Sequence, residues 1–499
     1  MKKLVTLLMA LALVLSLSVT AFAADDAILV INDATARTYD GYQLLNLTTS
    51  LKCDHAEGEK HSEEDCYNYA YTVNEKYLAI LQAEAGANND IIAYLEGLQG
   101  GDTGTLHDAA EDIYAAIKDG DIDADEPNVT DTASIAQGYW LFADVTNLQG
   151  KNEANSLVIV DTKGQEELIL SPKTGLPTIE KKVKDTNDST GETTDWQDSA
   201  DYDIGDTVTF KLTATLPENI AGYDTYMISF HDTLSDGLTL KPETIKVMVG
   251  ETDVTDAFDY EAGAGGAFTI TCDDVLDIAG VTKDTVFVVY YEATLDTDAE
   301  IGAAGNPNEV YLEFSNDPYS DGTGKTENDK VIVFTYQLTI NKTDKDGNAL
   351  KGAGFTLYKW YETAPATEDQ PAAGEWRPVG DELVGDDMTT FNWVGLDDGK
   401  YKLEESTVPA GYNKMADIEF TITAEHDEEA DDPALTSVTS TMGTVNDGII
   451  TDTVINNTGT VLPETGAKGT MMLITTSTIL VVIAAVFMIT RKKMSIYED

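Results

Sequence analysis

The chain has 499 residues and carries 89 acidic against 31 basic side chains, a formal net charge of −58 at pH 7. A nucleic acid would be repelled by this charge, which excludes nucleic-acid binding as a function. Only three cysteines and five histidines occur. The chain therefore has few residues from which to build a disulfide framework, a metal centre or an acid–base catalytic site. The length predicts about three globular domains with ample apolar residues for their cores.

Residues 1–23 have the layout of a secretory signal peptide. Lys2 and Lys3 precede an apolar run over residues 4–19, and Ala21-Phe22-Ala23 supplies small residues for cleavage. We therefore expect export, with a mature chain that begins at Ala24.

Cys53 and Cys66 enclose a loop that also contains His55 and His61. In an exported chain a Cys53–Cys66 disulfide is the first expectation, and free thiols or a zinc site built from all four side chains are the alternatives. The spacing matches no standard zinc finger, so no metal ligand is assigned. Cys272 is left as the odd cysteine.

Residues 24–172 combine helical and strand-like patterns, which predicts an α+β domain. The runs at 27–31 and 157–160 are typical of strands, whereas the segments at 74–85 and 106–118 carry apolar residues at helical spacing.

Residues 173–335 and 336–458 show the alternation of apolar and polar side chains that is typical of β-strands. Their strands are short and are separated by Gly, Pro and Asp turns, which favours two tandem immunoglobulin-like β-sandwiches. The predicted fold class is therefore mainly β, with the α+β domain in front. A proline-punctuated link, Ser171-Pro172-Lys173, joins the two parts and should leave Lys173 exposed.

The C-terminal residues 459–499 combine three features in order. Leu462, Pro463, Glu464, Thr465 and Gly466 form a pentapeptide, an uncharged stretch covers residues 471–489, and a basic cluster covers residues 491–493. As a helix the uncharged stretch would extend roughly 28 Å, enough for a hydrocarbon core of about 30 Å. A permanent membrane anchor is the simplest interpretation.

The ordered combination of LPxTG, apolar span and basic tail resembles the cell-wall sorting signal that Gram-positive sortases read. The resemblance implies cleavage between Thr465 and Gly466, with the Thr465 carbonyl held on a sortase cysteine until an amine accepts it. The transmembrane helix would then hold the chain in the membrane only transiently.

Two further resemblances cover most of the chain. Residues 340–355, 401–412 and 454–456 look like the collagen-adhesin B-type domain, and residues 177–318 are similar to the isopeptide-forming second domain of LPXTG-anchored fimbrial major subunits. Together they resemble a Gram-positive backbone pilin. This implies a secreted, peptidoglycan-anchored structural subunit with no cofactor and no catalytic turnover.

The partners that this resemblance implies are sortase, further copies of the chain, peptidoglycan, accessory pilins and a host or glycan ligand. A wall-anchored adhesin that does not polymerise is the alternative, because it would share every feature except an acceptor lysine.

In the third region the resemblance implies an intramolecular bond between Lys342 Nζ and the Asn456 side chain, promoted by the acid Glu405. Strand parity places Lys342 on the inward face and Glu404 on the opposite face from Glu405. A surface salt bridge between Lys342 and Glu405 is the alternative.

In the second region the same chemistry is expected of Lys181, in preference to Lys182, with Asp232 as the acid. Asn308 and Asn316 share parity as amide partners. Asn308 is preferred because the first and last strands should be joined well inside the sheet rather than at its rim.

The resemblance also implies that a lysine beside a proline, near the end of the first domain, accepts the threonyl group of the next subunit. Lys173 occupies that place, with Lys163 as the alternative. The aromatic residue that the family usually has before the proline is replaced here by Ser171.

Overall fold

The structure, a computed structural model, describes residues 26–32, 36–51, 67–87, 89–99, 103–163, 165–170, 175–364 and 372–458. Within these ranges strands dominate and the expected mainly β fold is confirmed. None of the helices in this part of the chain combines the length and apolarity needed to span a membrane. The expected signal peptide, the Cys53–Cys66 loop, Lys173 and the sorting signal with its transmembrane helix lie outside the described residues.

The first region is α+β, as expected. Its helices are α1 (Leu78–Ala85), α2 (Ile91–Gln99) and α3 (Thr103–Asp119). Its strands are β1 (Asp26–Ile31), β2 (Tyr39–Leu51), β3 (Tyr67–Val73), β4 (Glu126–Val129), β5 (Thr132–Ala136), β6 (Gly138–Asp144), β7 (Leu157–Asp161) and β8 (Glu167–Leu170). Helix α2 is an addition to the two helices that the apolar spacing predicts.

Strand β6 forms the centre of the first region. It lies in the sheet β3-β2-β6-β7, with β4 beside β2, and every one of its residues is buried. Tyr139 and Leu141 pack against the helices, whereas Trp140 and Phe142 pack against the small sheet β5-β1-β8. A strand covered on both faces needs an unbroken apolar run, which explains its sequence.

The second region is a β-sandwich whose two sheets face one apolar core. Its strands are β9 (Thr178–Val183), β10 (Thr186–Asn187), β11 (Glu192–Thr193), β12 (Ser199–Asp201), β13 (Thr207–Thr215), β14 (Ile228–Leu234), β15 (Leu238–Val249), β16 (Thr252–Asp253), β17 (Asp259–Ala262), β18 (Ala267–Cys272), β19 (Val286–Leu295), β20 (Asn306–Ser315), β21 (Thr323–Lys325) and β22 (Asp329–Phe334). One sheet has the order β16-β15-β19-β13-β9 and the other the order β12-β22-β20-β14-β18-β17, with β21 beside β20.

The third region is a second, smaller sandwich around its own core. Its strands are β23 (Tyr336–Asp344), β24 (Gly354–Ala364), β25 (Ala373–Pro378), β26 (Leu383–Val384), β27 (Thr390–Leu396), β28 (Gly399–Thr407), β29 (Ile418–His426), β30 (Leu435–Ser440), β31 (Thr444–Asn446) and β32 (Ile449–Asn456). Its sheets have the orders β27-β23-β32-β31 and β25-β24-β28-β29-β30, with β26 beside β24.

The two sandwiches follow each other almost without a linker. Strand β22 ends at Phe334 and β23 begins at Tyr336, so the buried Thr335 alone separates them. Side chains of the two regions form hydrogen bonds with each other beside this junction, among them Asn187 to Asp398 and Lys359 to Asp203.

Candidate functional site

Lys181, Asp232 and Asn308 come together in the core of the second region, around the hydroxyl of Tyr291. Lys181 Nζ donates hydrogen bonds to Asp232 Oδ2 and to the Tyr291 hydroxyl, the latter over 2.7 Å. The Tyr291 hydroxyl donates to Asp232 Oδ2 over 2.8 Å, and Asn308 Nδ2 donates to the Tyr291 hydroxyl over 2.8 Å. All four side chains are 1% exposed or less.

The surroundings of this cluster are aromatic and dry. The rings of Phe210 and Phe268 lie 5.2 Å and 5.4 Å from the Tyr291 ring, centroid to centroid. Burial lowers the pKa of Lys181, and burial raises the pKa of Asp232. Both shifts favour the uncharged forms, a neutral amine beside a protonated carboxyl group.

Two oxygens of the cluster have no hydrogen-bond partner within the described part of the chain, Asp232 Oδ1 and Asn308 Oδ1. Buried polar atoms are normally paired, so such orphans need an explanation. A protonated carboxyl group that polarises the amide carbonyl would use both atoms.

The competing residues of the second region have other roles. Lys182 points away from the core and forms ion pairs with Asp198 (2.8 Å) and Glu429 (3.1 Å). Asn316 Nδ2 donates to the backbone carbonyls of Leu148 and Glu153, so it ties the second region to the first instead of reaching Lys181.

The expected reason for preferring Asn308 is wrong. Asn308 lies on β20, whereas the last strand of the region is β22. Strands β9 and β20 also belong to opposite sheets, so Lys181 and Asn308 face each other across the sandwich rather than within one sheet. Asn308 comes close because it pairs with Leu234, two residues from Asp232 on the neighbouring β14.

The third region buries Lys342, Glu405 and Asn456, each 1% exposed or less. Strands β23 and β32 are parallel neighbours in which Lys342 pairs with Val454, so Asn456 lies two residues further along on the same face. Asn456 Nδ2 donates to Glu405 Oε2 over 3.0 Å, and Lys342 Nζ donates to the carbonyl of Val454 over 3.3 Å. Burial lowers the pKa of Lys342, although the nearby Glu405 opposes that shift.

The remaining oxygens repeat the pattern of the second region. Glu405 Oε1 and Asn456 Oδ1 are buried without a hydrogen-bond partner among the residues described.

Glu404 faces outward and pairs with Lys414 over 2.7 Å, as strand parity predicts. Because Lys342 and Glu405 are buried, a surface salt bridge between them is ruled out by the geometry.

Tyr291 is the one member of these sites that sequence reasoning missed. Its position in the strand could have identified it, because Tyr291 alternates in phase with the buried residues Phe287 and Val289. A tyrosine hydroxyl that points into a sandwich core needs a polar partner.

Of the two acceptor candidates, only Lys163 is described. It is exposed just after β7, and its Nζ lies 5.3 Å from the centre of the Tyr69 ring.

Comparisons with known proteins agree with this architecture. Residues 336–471 match the SpaA family model, a prealbumin-like fold domain. A 276-residue segment is 25% identical to the trypsin-resistant surface T6 protein of Streptococcus pyogenes serotype M6; the match covers 48% of this chain and 44% of that relative's length.

Among solved structures, the T6 backbone pilin of serotype M6 S. pyogenes superimposes with a TM-score of 0.52 at 18% identity, over 88% of this chain and 100% of that one. The full-length major pilin SpaD of Corynebacterium diphtheriae matches with a TM-score of 0.45 at 15% identity, over 87% and 98%. These relatives are structural proteins rather than enzymes. The resemblance of the chain to Gram-positive backbone pilins, expected from its motifs, is confirmed.

Proposed function

We propose that this chain is the major structural subunit of a covalent surface pilus. Sortase would join Thr465 of one copy to Lys173 of the next, and the last copy would be attached to peptidoglycan. The observation that carries the proposal is the buried lysine, acid and asparagine that recur in both sandwiches, because three polar groups in an apolar core are costly unless they pair or react.

The proposed reaction in the second region is an amide exchange. The neutral Lys181 Nζ attacks Asn308 Cγ, and the protonated Asp232 polarises the carbonyl oxygen. The new Nζ–Cγ bond forms as the Cγ–Nδ2 bond breaks, one proton passes from Nζ to the leaving amide nitrogen, and that nitrogen departs as ammonia while Nζ keeps its other proton as the new amide N–H. Tyr291 holds all three reactants within hydrogen-bond reach and is a positioning residue.

The third region would perform the same exchange with Lys342, Glu405 and Asn456. Here the acid already contacts the amide group, while the lysine is held by the Val454 carbonyl on the strand that carries Asn456. Neither product leaves a buried charge, which is why the apolar cores favour it.

Intact-mass spectrometry of the mature recombinant chain tests the two bonds. Each bond releases one ammonia and lowers the mass by about 17 Da, so we expect a deficit of about 34 Da. A mature chain at its full sequence mass would refute both.

A ladder assay on cell-wall extracts tests polymerisation. With an antibody to this chain, SDS-resistant bands of increasing mass are expected from sortase-competent cells. A single wall-anchored species would instead identify a solitary adhesin.

A further inference from the structure

The outer face of the sheet β16-β15-β19-β13-β9 carries a row of basic side chains. Lys211 on β13 pairs with Lys182 on β9 and with Tyr290 on β19, and Tyr290 pairs in turn with Lys246 on β15. The residues on either side of Lys211 and of Tyr290 along their strands are buried in the core. Because side chains alternate along a strand, the row lies on the face that points away from the core.

This face inverts the charge balance of the chain. The sequence has 89 acidic and 31 basic residues, but lysines outnumber acids among the outward residues of β9, β13, β15 and β19 that pair with a neighbouring strand, taken together with the lysine just after β9. The acids are Glu180 and Glu292, and the lysines are Lys182, Lys184, Lys211, Lys241 and Lys246.

Most of this positive charge is not compensated by the protein. Lys182 and Lys211 lie directly opposite each other, an arrangement that costs stability because like charges repel. Lys182 forms ion pairs with Asp198 and Glu429. Within the part of the chain that the structure describes, no carboxylate lies within 4.0 Å of Lys184 Nζ, Lys211 Nζ or Lys246 Nζ. These three ammonium groups are therefore available to an anion from outside.

Two aromatic rings lie among the lysines. The Nζ atoms of Lys184 and Lys211 lie 5.2 Å and 5.0 Å from the centre of the Trp196 ring, which is 5.9 Å from the centre of the Tyr290 ring. Tyr290 is 37% exposed. The cation–π contacts hold the ammonium groups on the sheet surface without using up their three N–H donors, so each can still bind an anion.

The sheet fixes the spacing of the row. Neighbouring strands lie about 4.8 Å apart, so the backbones that carry Lys211 and Lys246, two strands apart, are separated by roughly 10 Å. The ring of Tyr290 stands between them. A flat ring flanked by two positive charges fits a chain that has apolar faces and carries negative charges at intervals.

We propose that this face binds an anionic glycan, with carboxylates of the glycan held by Lys211 and Lys246 and a sugar ring packed against Tyr290. A sugar ring presents C–H groups on its faces and hydroxyl groups on its rim, which matches the apolar body and polar tip of a tyrosine. An acidic peptide would use the same lysines but would gain little from the tyrosine ring. The proposal rests neither on polymerisation nor on the isopeptide bonds.

The acidic net charge of the chain opposes such a ligand much less than it opposes a nucleic acid. Duplex DNA carries one charge per about 1.7 Å, whereas a glycan with a carboxylate on every second ring has a far lower charge density. At physiological ionic strength the Debye length is about 8 Å. The lysines of this face therefore decide the local potential, and the distant acids are screened.

Calorimetric titration of the full mature chain in about 0.15 M salt tests the proposal. The probe is a hyaluronan oligosaccharide, which carries a carboxylate on every second ring, and the control is a neutral chitin oligosaccharide of the same length. We expect saturable binding of the first and none of the second. Equal binding of the neutral glycan would overturn the proposal, as would absence of binding both to hyaluronan and to an oligogalacturonate, which has a carboxylate on every ring.

The lysines are tested by a double variant, Lys211→Gln with Lys246→Gln. Lys345→Gln with Lys351→Gln is the matched control, because it removes the same charge from two exposed lysines of the third region. The test variant should weaken hyaluronan binding about 10-fold or more, since two charge-assisted contacts are lost, while the control binds like the wild type. An equal loss in both variants would mean that overall charge alone matters, which would refute the site.

Tyr290→Ala distinguishes a glycan from an acidic protein partner, with a polyglutamate peptide as the second probe. The variant should weaken hyaluronan binding about 3-fold or more, because the ring contact is gone, and leave any polyglutamate binding unchanged. All variants should keep the wild-type Tm, since the replaced side chains lie on the outer face. Tighter binding of polyglutamate than of hyaluronan, or unchanged hyaluronan affinity in Tyr290→Ala, would assign the face to an acidic protein and overturn the proposal.

Discussion

Replacing Asn308 by alanine is the sharpest test of the second-region bond. The substitution removes the amide that Lys181 would attack, but it leaves the contact between Lys181 and Asp232 in place. The mass deficit of the mature chain should fall from about 34 Da to about 17 Da. Asn316→Ala is the matched control, because Asn316 has the same strand parity yet bonds to the first region.

The stability change can be worked from the same geometry. A bond from Lys181 to Asn308 closes a loop of about 127 residues, and the chain-entropy relation gives about 5 kcal/mol for a cross-link of that span. For a domain of this size the Tm of the second region should drop by roughly 10–20 °C in Asn308→Ala. Scanning calorimetry on the full mature chain measures the shift. If Asn308→Ala retains the full mass deficit, or Asn316→Ala loses half of it, the assignment of the amide is refuted.

Three further predictions concern the remaining groups. Glu405→Gln should stop bond formation in the third region and restore about 17 Da, whereas Glu404→Gln should leave the mass unchanged; equal masses for the two variants would contradict the role of Glu405. Tyr291→Phe should slow bond formation in the second region, seen as a mixture of bonded and unbonded masses soon after synthesis, and it should cost about 1–3 kcal/mol in the unbonded state because buried partners lose a hydrogen bond; complete bonding at the wild-type rate would remove Tyr291 from the site. Lys173→Ala should abolish the pilus ladder in sortase-competent cells while Lys163→Ala retains it, and the reverse pattern would reassign the acceptor.

Strand parity predicted which side chains enter the cores. Lys181 and Glu405 face inward while Lys182 and Glu404 face solvent or a neighbouring region, because side chains alternate along a strand with a period of two. The same alternation made the two all-β regions recognisable in the sequence, because most of their strands have one buried face and one face nearer to solvent.

Parity could not separate Asn308 from Asn316, because both have the same phase. What separates them is the position of β20 between β14 and β22, which puts Asn308 inside the sandwich and Asn316 beyond the end of the strand, against the first region. Sheet order depends on pairings between segments far apart in the chain, and a single sequence does not show these pairings.

The meeting of aspartates from the second and third regions, Asp201 with Asp397 and Asp398, could not be predicted for a related reason. Asp201 and Asp398 are almost 200 residues apart, and in a chain with 89 acidic residues two aspartates attract no notice. Only the nearly direct connection of the two sandwiches brings them together.

The position of Asn308 on β20 has a mechanical consequence if the proposed bonds form. In a fibre under tension, the force would enter the second region near Lys181, cross to Asn308 and then follow residues 309–334 to the next region. Those 26 residues stay in series with the force, and non-covalent contacts hold them in place, among them the pairing of β20 with β14 and of β22 with β12 and β20. Fully extended they would span about 90 Å, and each subunit would lengthen by the difference between this span and the folded one.

The third region has no such reserve, because its bond would run from the first strand to the end of the last. Each subunit would therefore contain one extensible segment in series with one inextensible domain. Such a fibre would lengthen under a sudden pull, which would lower the peak force that reaches the cell wall.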